Sequence, residues 1–491
     1  MKTFSREDLK RFRDYLHSPF FNKSRKLSKF YEELIKFHPA FDSKYLSEKT
    51  LSRKICPEIP FNKLTVNSLF FDLSSLAKNY IKIIAVENNS VEADDLMRRE
   101  MMNRRMFGLM EANIELTHRK LENEGNINAN YYVNMFYLLT DEYNMNKINK
   151  PKSNSEKVNS TIDILTERGK MILFFFITEM VREYENILTL SKTYDTGSDT
   201  NFIVDLFNNV DFFALIETVI EKEGDTKYGK ILKLYLELLQ TFSDFDNEKN
   251  YHRYKRSIIK YSSVLSPDEK RFHFGRLMRY CMFKNQLSKP DNRFGIELFN
   301  IYEYILKNEN YRSSVMNYMP VELYRNMLLH GLRLKKYTWT VNFIKKYSKV
   351  LHPGRRENIS HFSMAEYCFS RKMYRKVKLH LNKIIFEEFI YKLNYRNILL
   401  MTHFELGEFE NALYLIDSYK HFLANDTTFS TDNKKRHIKF VNIVHKLILH
   451  KTTPNRISSY YIDKEYDENF PYKDWINEKI SDTSDKIKKA V

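Results

Sequence analysis

The chain has 491 residues, 43% of them hydrophobic and 29% charged, with a mean hydropathy of −0.54, a balance that fits soluble globular units and excludes a disordered chain. Only 11 Gly and 11 Pro are present, about 4% of the residues against a usual share of roughly 12%, which counts against turn-rich β folds and glycine-loop nucleotide enzymes. The 80 Lys and Arg outnumber the 63 Asp and Glu, for a formal net charge of +17.

Met1-Lys2-Thr3-Phe4-Ser5-Arg6-Glu7-Asp8 leads straight into a charged helical pattern with no apolar core of a leader, so no secretory signal is expected. Ser5 and Asp8 have the spacing of a capping-box-like start, in which Ser5 accepts from an orphan amide of the first turn. Leu9, Phe12 and Leu16 recur at i, i+3 and i+7, the stripe of a helix. Ser18-Pro19-Phe20-Phe21-Asn22 stops it, because Pro19 disfavours α backbone at Ser18. Leu27, Phe30, Leu34 and Phe37 give a second stripe, with breaks at His38-Pro39 and Pro57-Glu58-Ile59-Pro60. From Asn62 to Val86, Leu64, Leu69, Leu73, Leu76 and Ile81 predict a predominantly buried helix. Residues 1–90 therefore read as one compact helical module.

Residues 91–320 read as an irregular helical region. Helical pattern runs over 91–141, and Asn144–Ser160, rich in Asn, Lys and Ser with Pro151, reads as a mobile loop. Stripes resume at 161–187, where the apolar run Met171–Thr178 is too short to span a bilayer and predicts a buried core helix. Further helices are expected at 211–222 and 228–241, then a polar break over Thr241–Asn250, then helices from Tyr251 to Lys307. No segment sustains period-2 alternation, so essentially no sheet is expected.

Between 321 and 450 the stripes pair up. Tyr324, Leu328, Gly331 and Leu332 precede a turn at Lys335-Lys336, and Thr340, Phe343, Ile344, Tyr347 and Leu351 follow it. Phe362, Ala365, Cys368 and Phe369 precede a turn at Arg371-Lys372, and Tyr374, Val377, Leu381 and Ile384 follow. Tyr395, Ile398, Leu399 and Thr402 precede Gly407, and Phe409, Ala412, Leu415, Ile416 and Tyr419 follow. Aligning Thr340, Val377 and Ala412 gives spacings of 37 and 35 residues, the period of stacked two-helix repeats.

In Met364–Val377 and Phe404–Ala412 the chain resembles the tetratricopeptide family. The end of a first helix, a turn, an aromatic and a small residue fall in that family's order, with Ala365 and Ala412 where helices approach closely. The family's Trp near the start of each repeat and its closing Pro are missing, and only one repeat has the turn Gly. The resemblance covers about 130 residues and implies a tetratricopeptide-like α-solenoid. The Ser18–Asn22 block, these repeats and Lys473-Asp474-Trp475-Ile476-Asn477-Glu478-Lys479 are also similar to an uncharacterised family of large helical bacterial proteins, a resemblance that implies a fold and no activity.

The residues offer little convergent chemistry. Gly224-Asp225-Thr226-Lys227-Tyr228-Gly229-Lys230 matches a phosphate-loop spacing but is followed by Ile231 in place of the magnesium-binding Ser or Thr, and a helix end precedes it. His445 and His450 are five apart and share no face, and His361 with Cys368 reads as packing more readily than as a ligand pair. Asp94-Asp95 and Glu387-Glu388 read as solvated surface, and no glycines of a nucleophile elbow flank a Ser or Cys. Cys56, Cys281 and Cys368 are an odd number at wide separation, which suggests neither disulfides nor a zinc ribbon and fits the cytoplasm. The expectation is a protein that is not an enzyme, with no cofactor and no metal.

Charge is the remaining candidate signal. Net charge is +7 over 1–90, −4 over 91–200, +2 over 201–300 and +12 over 301–491, with +11 in 331–380 alone. Lys335, Lys336, Lys345, Lys346, Arg355, Arg356, Arg371, Lys372, Arg375, Lys376 and Lys378 lie around successive turns, which a solenoid lines up along one edge. Such a stripe suits a polyanion or an acidic partner, with Tyr337, Trp339 and Tyr374 available to stack on bases. Against this stands the plainer reading, a solvated basic face and aromatics that pack on neighbouring helices, since 52 Lys against 28 Arg amid many Asn, Ile, Tyr and Phe is a composition AT-rich coding produces unaided.

The sequence thus predicts an all-α protein: an N-terminal helical module (1–90), an irregular helical region (91–320), tetratricopeptide-like repeats (321–450) and a polar tail with a short helix at Trp475 (451–491). The expected function is a non-catalytic scaffold or adaptor that binds another protein, away from any membrane. A nucleic-acid-associated protein using the 331–380 edge is the alternative, and a regulatory protein whose N-terminal module docks while the repeats sense a partner is a weaker third.

Overall fold

Helical stripes, polar turns and scarce glycine lead to the same outcome in the computed structural model, which describes residues 1–39, 41, 46–55, 60–148, 155–194, 201–287, 292–313, 317–385, 391–426, 431–452 and 472–490. Among the described residues all regular structure is helical, apart from one isolated bridge between Ile127 and Leu265. The chain divides into two units, residues 1–240 with 263–266 and residues 241–262 with 267–491.

In the first unit, α1 (Arg6–His17), α2 (Arg25–Ile35), α3 (Glu48–Ile55) and α4 (Lys63–Asn88) enclose a core of Phe12, Leu16, Leu27, Phe30, Leu34, Leu51 and Leu73. The capping box is present: Asp8 N–H donates to Ser5 Oγ at 3.1 Å and Ser5 N–H donates to Asp8 Oδ2 at 2.9 Å. Helix α1 ends at His17, with Ser18 extended ahead of Pro19. Helix α4 departs from the expectation of a mostly buried helix, because Leu64 is 76% and Ile81 52% exposed. Only its line Val66, Leu69, Leu73 and Tyr80 is covered, since the module lies against one face of it. The breaks expected at Pro57–Ile59 and the thiol of Cys56 lie outside the described residues.

Next come α5 (Ser90–Asn103), α6 (Phe107–Glu124), α7 (Ala129–Ile148) and α8 (Ser155–Tyr194). Arg98 of α5, 1% exposed, ties three of them together. It donates to Asp141 at 2.7 Å on α7 and to Asn113 and Thr117 at 3.1 Å on α6. The loop expected over Asn144–Ser160 is mostly helix instead: Asn144–Ile148 completes α7, where Met145 is buried, and Ser155–Ser160 opens α8. Residues 149–154 lie outside the described residues. In the apolar run of α8, Met171, Phe174 and Ile177 are buried while Ile172 is exposed, so that helix is buried along one side. Short α9 (Phe202–Asn209) was not foreseen; α10 (Phe212–Glu223) and α11 (Lys227–Ser243) lie close to their expected positions.

The second unit continues with α12 (Glu248–Lys260), α13 (Pro267–Leu287) and α14 (Arg293–Lys307). Three hairpins follow: α15 (Val321–Arg333) with α16 (Tyr337–Tyr347), α17 (Pro353–Ser370) with α18 (Tyr374–Leu381), and α19 (Lys392–Glu405) with α20 (Phe409–Asn425). Helices α21 (Thr431–Thr452) and α22 (Lys473–Ala490) complete the described chain. The three hairpin turns share one geometry. Lys335, Lys372 and Gly407 each adopt a left-handed φ, of 57°, 56° and 72°. The next amide in each case (Lys336, Met373, Glu408) donates back at 2.9 Å to Gly331, Cys368 and His403, the closing bond of a Schellman turn. Thr340, Val377 and Ala412, the positions aligned at spacings of 37 and 35, are all fully buried. Each helix from α15 to α21 contacts the next, and α15 touches α17, α17 touches α19 and α19 touches α21. The helix at Trp475 is longer than expected, and Trp475 and Ile476 join the core formed by α17 to α21.

Candidate interaction surface

The expected basic residues fall into two groups. Lys335 and Lys336 stand exposed at the first hairpin turn, and Arg371 and Lys372 at the second, with Arg375 and Lys376 exposed on the first turn of α18. The Arg371 guanidinium lies 4.6 Å above the Tyr337 ring, which brings these two turns together. Lys345 and Lys346 occupy the last turn of α16, and Arg355 and Arg356 the first turn of α17. That places them about 15 Å along α16 from Lys336, at 1.5 Å per residue. Arg356 donates to the Leu351 carbonyl at 3.3 Å. The third turn is acidic, with Glu405, Glu408 and Glu410 around Gly407. Lys378 is spent on it, donating to both Glu408 oxygens at 2.8 and 2.9 Å. That bond, with His403 at 2.6 Å, holds the Glu408 carboxyl below its ordinary range.

The three aromatics among these charges are packed. Trp339 stacks on Phe343 at 5.0 Å and meets Phe299 edge-on at 4.8 Å. Tyr337 meets Tyr367 at 6.4 Å and Tyr374 meets Phe369 at 5.5 Å. No ring is left splayed for a base.

A second surface emerges on α15, α17, α19 and α21, where α22 is seated. The Trp475 indole N–H donates to Glu405 Oε1 at 2.6 Å, and Lys479 Nζ reaches the same oxygen at 2.8 Å. Trp475 and Lys479 are four residues apart, so one helical face presents both donors to one carboxylate. Burial opposes the Lys479 charge, but Glu405 outweighs it and the ammonium is held above its ordinary pKa. Lys372 donates to Glu478 at 2.8 Å and lowers that carboxyl. The Trp475 ring meets Phe404 edge-on at 5.4 Å, and Tyr472 packs 5.9 Å from Phe440. Deeper in the same face, Arg325 of α15 reaches Glu366 of α17 at 3.5 Å. Burial raises the Glu366 pKa against the pull of Arg325.

The remaining motifs resolve into structural contacts. Gly224–Lys230 is the turn between α10 and α11, Gly224 taking φ +60° and Lys230 pairing with Asp225 at 3.1 Å. Asp94 and Asp95 are half-buried rather than solvated, because Lys120 and Arg99 hold them at 2.6 and 2.7 Å. His361 faces His380, with Nδ1 atoms 3.4 Å apart, while Cys368 is buried in the core. Cys281 is also buried, and burial pushes its thiol up to about 12. Among the described residues no cluster of three His, Cys, Asp or Glu is placed to hold a metal ion, and no helix is long and apolar enough to cross a membrane. Glu387-Glu388 lies outside the described residues.

Sequence reasoning missed Glu405, Glu366 and Arg325. The spacing of Trp475 and Lys479 was visible, but nothing local marked Glu405, 70 residues away, as its counterpart. Comparison with protein families, with curated proteins and with solved structures finds no match to this chain.

Proposed function

We propose that this chain is a non-catalytic adaptor whose C-terminal hairpins form a tetratricopeptide-like α-solenoid that binds another protein in the cytoplasm. The observation that carries the reading is the seating of α22, since the face of α15, α17, α19 and α21 holds a helix through directed polar contacts as well as apolar ones. The repeated turns and neighbour-to-neighbour contacts support it, because stacked helix pairs offer extended area without converging reactive groups. The nucleic-acid reading draws on the Arg371–Tyr337 contact, which gathers six cations over two adjacent turns.

The test is affinity capture from native lysate at two salt concentrations, with and without nuclease. It uses the wild type and an Arg371→Glu/Lys372→Glu/Arg375→Glu variant. The expected result is one protein partner, recovered at both salts, indifferent to nuclease and to the charge reversal. Recovery of nucleic acid that disappears with salt and with the reversal would replace the adaptor reading.

A further inference from the structure

We infer that the face formed by α15, α17, α19 and α21 is a receptor site for a partner protein's amphipathic helix bearing a Trp and a Lys one turn apart, and that α22 closes it by presenting the same pair. The inference rests on the adaptor reading and names the chemistry of the ligand and its regulation.

Three observations carry it. First, the contacts select a ligand. A single carboxylate oxygen of Glu405 receives an indole N–H at 2.6 Å and an ammonium at 2.8 Å, and Lys372 receives Glu478 at 2.8 Å. Charge-assisted bonds of this kind depend on geometry and identity, whereas core packing asks only for apolar volume. Second, the closure leaves polar atoms beneath it unmatched. Tyr472 lies within electrostatic reach of Arg325 and Glu366, where Arg325 Nε and Glu366 Oε2 are buried without a hydrogen-bond partner. Buried polar groups are nearly always satisfied, so these two atoms mark a place where a different occupant would bond better.

Third, the connection has slack. Lys451 Nζ lies 4.5 Å from the centre of the Phe404 ring, and the Trp475 ring lies 5.4 Å from it. Both ends of the connection therefore sit at one side chain, while the 19 residues between Thr452 and Tyr472 have a contour length of about 60 Å. A tether of that length lets α22 leave without unfolding the hairpins, and it keeps the helix at an effective concentration near the millimolar range. A partner helix must outcompete that local copy, so binding is gated by whatever loosens α22.

The experiment uses the full chain with a protease site inserted between residues 460 and 461. The probe is a fluorescent peptide of residues 470–491, with a second peptide keeping only its Trp, Glu and Lys on an unrelated helix. Anisotropy is expected to show at least tenfold tighter binding of both peptides after cleavage and removal of the released segment than before. Glu405→Gln in the cleaved chain is expected to lose at least tenfold, and a peptide with Trp475→Ala and Lys479→Ala to bind neither form. An intact Trp475→Ala/Lys479→Ala chain offers the same site without cleavage and is expected to bind the native peptide like the cleaved one. Unfolding of both opened forms would make α22 part of the core and overturn the inference. Equal affinity before and after cleavage would overturn it too. A wild-type dimer with α22 exchanged between copies would overturn it in favour of self-association. A protein partner captured equally by closed and opened chains would leave the adaptor reading standing and the gating refuted.

Discussion

His437 on α21 is 6% exposed, with Nδ1 2.9 Å from the Tyr419 hydroxyl and 3.3 Å from Asn397 Nδ2. Asn397 Nδ2 donates, so Nδ1 accepts and the imidazole is neutral. Burial, followed by the neighbouring Arg436, pushes its pKa down to about 4. In the unfolded chain the same ring titrates near 6.5 and binds its proton first. Unfolding therefore takes up a proton between those values, and stability falls as the pH drops below about 6.5, levelling off below about 4. At pH 4.5 the loss from this one residue comes to about 2.5 kcal/mol, at 1.36 kcal/mol per unit of separation. Urea unfolding at pH 7.5 and pH 4.5 checks it. The wild type is expected to lose about 2.5 kcal/mol more than His437→Gln across that interval, and equal losses in the two would count against a neutral buried imidazole.

At the scale of elements, the hairpin turns carry a strain that differs among them. All three need a left-handed residue, and glycine supplies it only at Gly407, while Lys335 and Lys372 hold φ near 57° and 56° with a Cβ. A side chain there costs about 1 kcal/mol, and glycine returns part of that as chain entropy. Lys335→Gly is expected to stabilise the protein by about 0.5 kcal/mol, and Gly407→Ala to destabilise it by about 1 kcal/mol. Thermal midpoints moving in opposite directions for the two would check this; a drop in both would show that the Lys335 side chain contributes more than its backbone costs. These turns were legible because Lys335-Lys336 and Arg371-Lys372 interrupt period-3.6 stripes at a constant interval, and the buried Thr340, Val377 and Ala412 mark the same interval. The exposed side of α4 was not, because Leu64 and Ile81 continue an apolar stripe whether or not a neighbour covers them. The seat of α22 was illegible for a further reason. Trp475 meets Glu405 only after three hairpins have stacked, and no spacing in the chain encodes that distance.

At the scale of the whole molecule the question is whether a net charge of +17 makes this a polyanion-binding protein. Diffuse charge attracts DNA weakly, and only cations that touch phosphates together release counterions and steepen the salt dependence. A continuous edge using the ten exposed or half-exposed cations from Lys335 to Lys376 would touch eight or so phosphates, for a slope of about −7 in log affinity against log salt. The positions do not favour such a contact. Lys345, Lys346, Arg355 and Arg356 stand at the far end of α16 from the two basic turns. Among the nearer group, Lys372 is engaged by Glu478 and Arg371 by the Tyr337 ring, and the next turn along is acidic at Glu405, Glu408 and Glu410. About four cations remain able to meet one duplex at once. Titration of a labelled DNA duplex against the full chain is therefore expected to give a slope no steeper than about −4, with the Arg371→Glu/Lys372→Glu/Arg375→Glu variant reducing affinity alike for every sequence tried. A slope near −7 that collapses in that variant would mean the two groups act on one strand, and the charge would then be a binding edge rather than a solvated face.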